Sequence, residues 1–308
     1  MLEHILVPLD SSKLSEQVLL YIGHIAKRLH SRMTLLHVVD TDALPHLPGN
    51  RYKELTEHLL EREKDLARRY LGAIRDHMGV HEETVSCEVI PGSPAETIVS
   101  FAHSQGIDLI AMSTHGRSGL NRWFMGSVTD KVLHTATVPL LLFRPQNLGA
   151  PPPPQIQTLL LPLDGSPVAE SALPMAEFLA KSLALRVLVA RAVPTYAFPF
   201  SDPYTFGDPA YSTELLELAT KDAVDYLDAT VNSLRLKDLK AEPCLLQQGD
   251  TAGQIIDLAG RTKDVLVVMS THGRSGLGRW VLGSVADRVV RGSGCPVLLV
   301  RSWAAPSE

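Results

Sequence analysis

The chain has 308 residues, 45% of them hydrophobic, and a formal net charge of −5. That is the make-up of a globular protein of about two domains, each able to bury its own core. It excludes the basic footprint of a DNA or RNA binder and any apolar run near the roughly 20 residues that cross a bilayer. The start, MLEHILVPLD, carries Glu3, His4 and Asp10 and no leading basic region, so it is not a secretory signal, and a soluble cytoplasmic protein with no membrane partner is expected.

In chain order, Ile5–Leu9 is a short apolar run closed by Asp10, a buried strand, and Leu14–Leu29 has helical spacing. Met33–Val39 is a second strand, Arg51–Met78 a long charged helix, Thr84–Ile90 a strand and Ala95–His103 a helix. Asp108–Ser113 is a strand, Ser127–His134 a helix and Val138–Phe143 the last strand of the first half. Short apolar runs alternating with amphipathic helices predict a doubly wound α/β domain with five parallel strands, a Rossmann-like fold.

The second half repeats the first. HILVPLDSS (4–12) answers to TLLLPLDGS (158–166), and DLIAMSTHG (108–116) to DVLVVMSTHG (264–273). STHGRSGLNRWFMGS (113–127) answers to STHGRSGLGRWVLGS (270–284), and TVPLLLFR (137–144) to CPVLLVR (295–301). A period this long means two tandem domains, taken as 1–150 and 151–308, joined at the PPPP run 151–154, an extended spacer. The second half inserts Pro194–Tyr211, rich in proline and aromatics, which reads either as a surface cover or as a functional loop. The three cysteines, Cys87, Cys244 and Cys295, form no Cys-x-x-Cys pair and read as small buried residues, with no metal site expected.

The doubled glycine loop carries the chemistry. A strand ends at Ser113, Gly116 and Gly119 follow, and Gly126-Ser127 opens a helix. Beyond the carboxyl end of a parallel strand, a helix amino terminus with a glycine beside it suits a phosphate, with Arg117, Arg122, Arg274 and Arg279 as countercharges. A plainer reading stands beside this one. Ser127 with Asp130, and Ser284 with Asp287, resemble capping boxes, serine at the N-cap and an acid at N3. Asp10 and Asp164 likewise read as turn residues closing on their own backbone, and His115 and His272 as loop hydrogen-bonders, with no catalytic constellation about them.

These motifs resemble the universal stress protein superfamily, in its tandem-domain, ATP-binding branch. The resemblance rests on the Pro-x-Asp end of the first strand and on a Gly-x-x-Gly, nine residues, Gly-Ser/Thr pattern. Gly116 with Gly126-Ser127 and Gly273 with Gly283-Ser284 fit its second part; Ser113 and Ser270 stand where the family has its first glycine. The resemblance implies a binding protein of the stress response that senses or buffers adenine nucleotide, ATP or its ADP and AMP products, with or without magnesium. A slow ATPase and a nucleotide-free scaffold are the alternatives. It places Pro8, Asp10, Pro162 and Asp164 at the adenosine end, and Val38 and Ala192 against adenine. It sets His115, Gly116, Arg117, His272, Gly273 and Arg274 around ribose and phosphates. Gly126, Ser127 and Val128, with Gly283, Ser284 and Val285, would hold the phosphate chain, next to Ser113 and Ser270. It further implies an intrachain pseudo-dimer, with Val138–Phe143 beside Val297–Val300, open to further homodimerisation. The halves differ where His37 faces Arg191, Val38 faces Ala192 and Asn121 faces Gly278.

Overall fold

The computed structural model describes residues 2–43, 50–79, 84–114, 125–144, 155–193, 209–247, 249–271 and 282–301, the side chains of 50–53 and 209–213 aside. The four-proline segment and the inserted residues 194–208 lie outside these. The chain divides into two compact units.

The first unit runs β1 (His4–Pro8), α1 (Lys13–Glu16), α2 (Val18–Leu29), β2 (Arg32–Asp40), α3 (Asn50–Met78), β3 (Val85–Gly92), α4 (Pro94–Ser104), β4 (Leu109–Ser113), α5 (Ser127–Thr135) and β5 (Leu140–Phe143). Its strands lie in the order β3-β2-β1-β4-β5, all parallel, with Ile5 registered between Met33 and Leu109. Ile5, Leu6, Val7 and every residue of β4 are buried, which is what continuous apolar runs become when helices cover both faces of a sheet.

The second unit repeats the plan with β6 (Thr158–Pro162), α6 (Pro167–Glu170), α7 (Leu173–Leu183), β7 (Arg186–Ala192), α8 (Pro209–Arg235), β8 (Ala241–Leu246), α9 (Thr251–Arg261), β9 (Val265–Ser270) and α10 (Ser284–Gly292). Strands β8-β7-β6-β9 are again parallel neighbours. The closing strand β10 (Val297–Val300) groups with the first unit, antiparallel to β5, with Val297 opposite Leu142 and Leu299 opposite Leu140. The fold is α/β and Rossmann-like. Among the described residues no helix is long and apolar enough to cross a membrane.

Two expectations change. The helix read as Leu14–Leu29 is two helices, broken at Gln17, whose N–H turns back to the Leu14 carbonyl at 3.3 Å. In the second unit Pro174 stands in the first turn of α7 just after the equivalent break; in the first, no proline marks it. The cysteines, read as buried, are only half-buried and carry free thiols. Cys87 and Cys244 sit on β3 and β8, the end strands of their parallel sets, with no neighbouring strand on the outer side among the described residues.

A polar thread crosses the first sheet. His4 Nε2 lies 2.8 Å from Thr34 Oγ1, which lies 2.9 Å from Ser86 Oγ. Burial, aided by Arg32, lowers the His4 pKa below its usual value, against the opposing pull of Asp108. The unfolded chain therefore takes up this proton at a higher pH than the folded one. The stability His4 contributes is present above about pH 6.5 and is lost as pH falls through its lowered folded pKa. Urea unfolding of His4→Gln is expected to show a shallower loss of stability below that pH than the parent chain.

Candidate functional site

Each site begins where the central strand runs out. After β1 the Leu9 N–H still bonds the Leu36 carbonyl at 2.8 Å, and Leu163 repeats this with Ala190 at 2.8 Å. The chain then turns sharply. Ser11 takes φ +65° and Gly165 φ +79°, the left-handed region. The next residue, Ser12 or Ser166, caps a one-turn helix, accepting the N–H of Ser15 or Ala169 at 3.1 Å. The same serine hydroxyl donates to Oδ1 of Asp10, or of Asp164, at 2.6 Å, and its backbone N–H does so at 3.0 and 2.9 Å. The turn-residue reading of both aspartates is thus observed, and it aims each carboxylate at the end of its strand.

A brace holds this turn from behind. Tyr70 on α3 donates to Glu16 Oε1 at 3.4 Å, and Tyr226 on α8 donates to Glu170 Oε1 at 2.8 Å. Burial first, and the nearby carboxylate second, raise both phenol pKa values, so the hydroxyls stay protonated donors.

Across the sheet, β4 ends at buried Ser113. Thr114 bonds the Phe143 carbonyl at 2.8 Å, and Thr129 Oγ1 donates to the Ser113 carbonyl at 3.0 Å. These bonds set the first turn of α5 against the strand end. The Gly126 N–H bonds the Thr114 carbonyl at 2.8 Å, as Gly283 bonds Thr271 at 2.8 Å. The capping-box reading is corrected here. Gly126 and Gly283 are the N-caps, without a side-chain bond, and Ser127 and Ser284 are the first helical residues. The chain turns in one residue early because the glycine carbonyls already accept the N–H of Asp130 and Asp287, each at 2.9 Å. Those acids sit one place beyond N3.

Between the strand ends lies a pocket in each unit. The first, of about 480 Å³, is lined by Pro8, Asp10, Val38, Ser113, Gly126, Ser127 and Val128. The second, of about 290 Å³, is lined by Pro162, Asp164, Ala192, Ser270, Gly283, Ser284 and Val285. The candidates on the first strand, the second strand and the helix start are thereby brought together in both units. His115, Gly116, Arg117, His272, Gly273 and Arg274, with Gly119, Arg122 and Arg279, lie outside the described residues.

Sequence reasoning missed the apolar floor: Ile98 and Met112 in the first pocket, Ile255 and Met269 in the second. Their recurrence at matching places in the two halves was the available signal. It also missed a wall of the first pocket formed by Leu59 and Glu63 of α3, together with His37 and Asp40 of β2. Charge is distributed unevenly. Among the described lining residues the carboxylates are Asp10, Asp40 and Glu63 in one pocket and Asp164 in the other, and no lysine or arginine lines either pocket. Among the described residues no group of three or more His, Cys, Asp or Glu is placed to hold a metal ion.

Against known proteins, a model of the universal stress protein family matches residues 1–144 and again 155–301. A universal stress protein of Methanocaldococcus jannaschii is 33% identical over 140 residues, 46% of this chain and 81% of its own length. One from Mycobacterium tuberculosis is 25% identical over 279 residues, 87% of each chain. The solved structure of a universal stress protein from Archaeoglobus fulgidus has the same fold, with a TM-score of 0.63 at 19% identity, covering 97% of this chain and 96% of its own.

Because one hydroxyl both caps a helix and pins the carboxylate, Ser12→Ala and Ser166→Ala are each expected to cost about 1 kcal/mol in chemical unfolding, the usual worth of an N-cap side chain. Ser171→Ala, whose hydroxyl bonds only the Val168 carbonyl among the bonds described, is expected to cost less.

Proposed function

This chain belongs to the universal stress protein family, and we propose that its two domains, 1–150 and 151–308, each bind an adenine nucleotide, ATP or its ADP and AMP products. The protein then acts in the stress response as a nucleotide sensor or buffer.

The observation that carries this reading is Gly126. Its φ is −59°, open to any residue, and a Cβ added there would make only an ordinary 3.5 Å contact with the Thr114 carbonyl. The fold has no need of glycine at this position. The bare Cα faces the pocket, and a side chain would occupy ligand space. Polarity orients the ligand. Phosphates favour the start of α5 or α10, where unpaired N–H groups and the helix dipole supply positive potential. Repulsion from Asp10, Asp40 and Glu63 keeps phosphates from their side of the first pocket, where the same carboxylates can accept ribose hydroxyls. The floors of Ile98 with Met112, and of Ile255 with Met269, suit an adenine ring beside Val38 and Ala192. Magnesium, when present, would be held chiefly by phosphate oxygens and water, since no carboxylate cage stands ready among the described residues.

Denaturing the freshly purified chain is expected to release adenine nucleotide, up to two per chain. Gly126→Val together with Gly283→Val is expected to abolish that release and to weaken ATP at each site by at least about tenfold in calorimetry, about 1.4 kcal/mol. The unfolding midpoint should fall only by the cost of two weaker N-caps. Full nucleotide content in the doubly substituted chain would overturn the reading.

A further inference from the structure

The turns that carry Asp10 and Asp164 have the same backbone but different support. In the first unit Ser11 holds φ +65° with its side chain in place, and its Oγ lies 3.5 Å from His37 Nδ1. The His37 ring meets Tyr70 edge-on, with 6.2 Å between centroids. In the second unit Gly165 stands for Ser11 and Arg191 for His37. Arg191 is buried, 7% exposed, with its guanidinium 4.4 Å from the centre of the Tyr226 ring and Nη1 donating to the Asp222 carbonyl at 3.3 Å. A Cβ at Gly165 would lie 3.3 Å from the guanidinium carbon and 3.4 Å from both terminal nitrogens.

The left-handed backbone does not by itself require glycine, because Ser11 adopts it in the first unit. What the second unit adds is the guanidinium, a planar group wider than imidazole, filling the space that a side chain at 165 would enter. Glycine at 165 and arginine at 191 therefore belong together, as serine and histidine do at 11 and 37. Tyr226, which carries the guanidinium on its face, also holds Glu170 of α6, the helix that Ser166 caps.

We propose that Arg191 is a positioning residue of the second pocket. Packed between the Tyr226 ring and the Gly165 backbone, it holds the Asp164–Ser166 turn and so fixes the Asp164 carboxylate toward its ligand. The ligand part rests on the nucleotide reading above. The two pockets then share one aspartate geometry but obtain it through different partners, Ser11 with His37 in one and Gly165 with Arg191 in the other.

The test uses the full chain with Gly126→Val to silence the first pocket. Four versions are compared: this parent, Gly165→Ser, Arg191→His, and the two together. ATP affinity with magnesium is read by calorimetry and stability by the urea midpoint. Each single change is expected to weaken ATP about tenfold or more, and the pair together to return to within about threefold of the parent, a coupling typical of residues in contact. Losses that simply multiply in the pair, or a Gly165→Ser chain that binds like the parent, overturn the proposal. If Gly165→Ser does not fold, Arg191→Lys decides. It keeps the charge and the glycine but loses the planar stack, and is expected to weaken ATP with little change in the midpoint; unchanged affinity overturns the proposal. If the parent binds no nucleotide, the functional reading fails for the second pocket, and the support of the turn is judged on the midpoint alone. A midpoint lost in Gly165→Ser and restored by Arg191→His upholds it; additive losses overturn it.

Discussion

A parallel sheet cannot join neighbouring strands by a tight turn, so each strand must hand the chain to a crossover before the next begins. In the first unit β1 lies between β2 and β4, and the chain reverses its direction of travel across the sheet at that point. The segments leaving β1 and β4 therefore diverge, and a crevice opens between their carboxyl ends. The other features of the site follow from this opening. The Asp10 turn stands on one side, the first turn of α5 on the other, and Ile98 of α4 with Met112 of β4 closes the bottom. The second unit reaches the same crevice between β6 and β9 with its own copy of each part.

Within the crevice, the local and long-range parts behave differently between the two copies. The aspartate–serine bond spans three residues and has the same 2.6 Å length in both units. Its geometry is written locally, by one left-handed residue and one helix cap, while the groups that support it come from elsewhere in the chain. The parts that depend on other elements have drifted. The tyrosine brace is 3.4 Å in one unit and 2.8 Å in the other, and the group behind the turn is an imidazole in one and a guanidinium in the other. The pocket walls differ as well, with Leu59 and Glu63 of α3 lining only the first among the described residues. The two pockets therefore share their chemistry but not their volume.

Glycine plays three separate roles here, which a sequence pattern cannot distinguish. At Gly126 neither backbone nor packing calls for it, and the pocket side does. At Gly165 the backbone favours it, and the guanidinium 3.3 Å from an added Cβ leaves little room for a side chain. At Gly292 an added Cβ would come 2.5 Å from Ile256 Cδ1, so a side chain there requires Ile256 to move. Only the neighbours of each Cα separate these cases.

The amino-acid sequence by itself determined the duplication, the order of strands and helices along the chain, and the side-chain types at the strand ends. Apolar runs and helical periodicity are local properties, and a repeat is visible without coordinates. Gly126 and Gly283 were found from the repeated loop, Asp10, Val38, Asp164 and Ala192 through the resemblance to the family, and all of them meet in the two pockets. The pairing of β10 with β5 followed from the family resemblance, whereas the break at Gln17, the N-cap falling on Gly126 rather than Ser127, and the stacking of Arg191 under the Asp164 turn were not legible. The Arg191 stack depends on residues distant along the chain, and the break and the cap on which backbone bonds the folded chain makes, which no short window of sequence decides. Only the tertiary structure decided them.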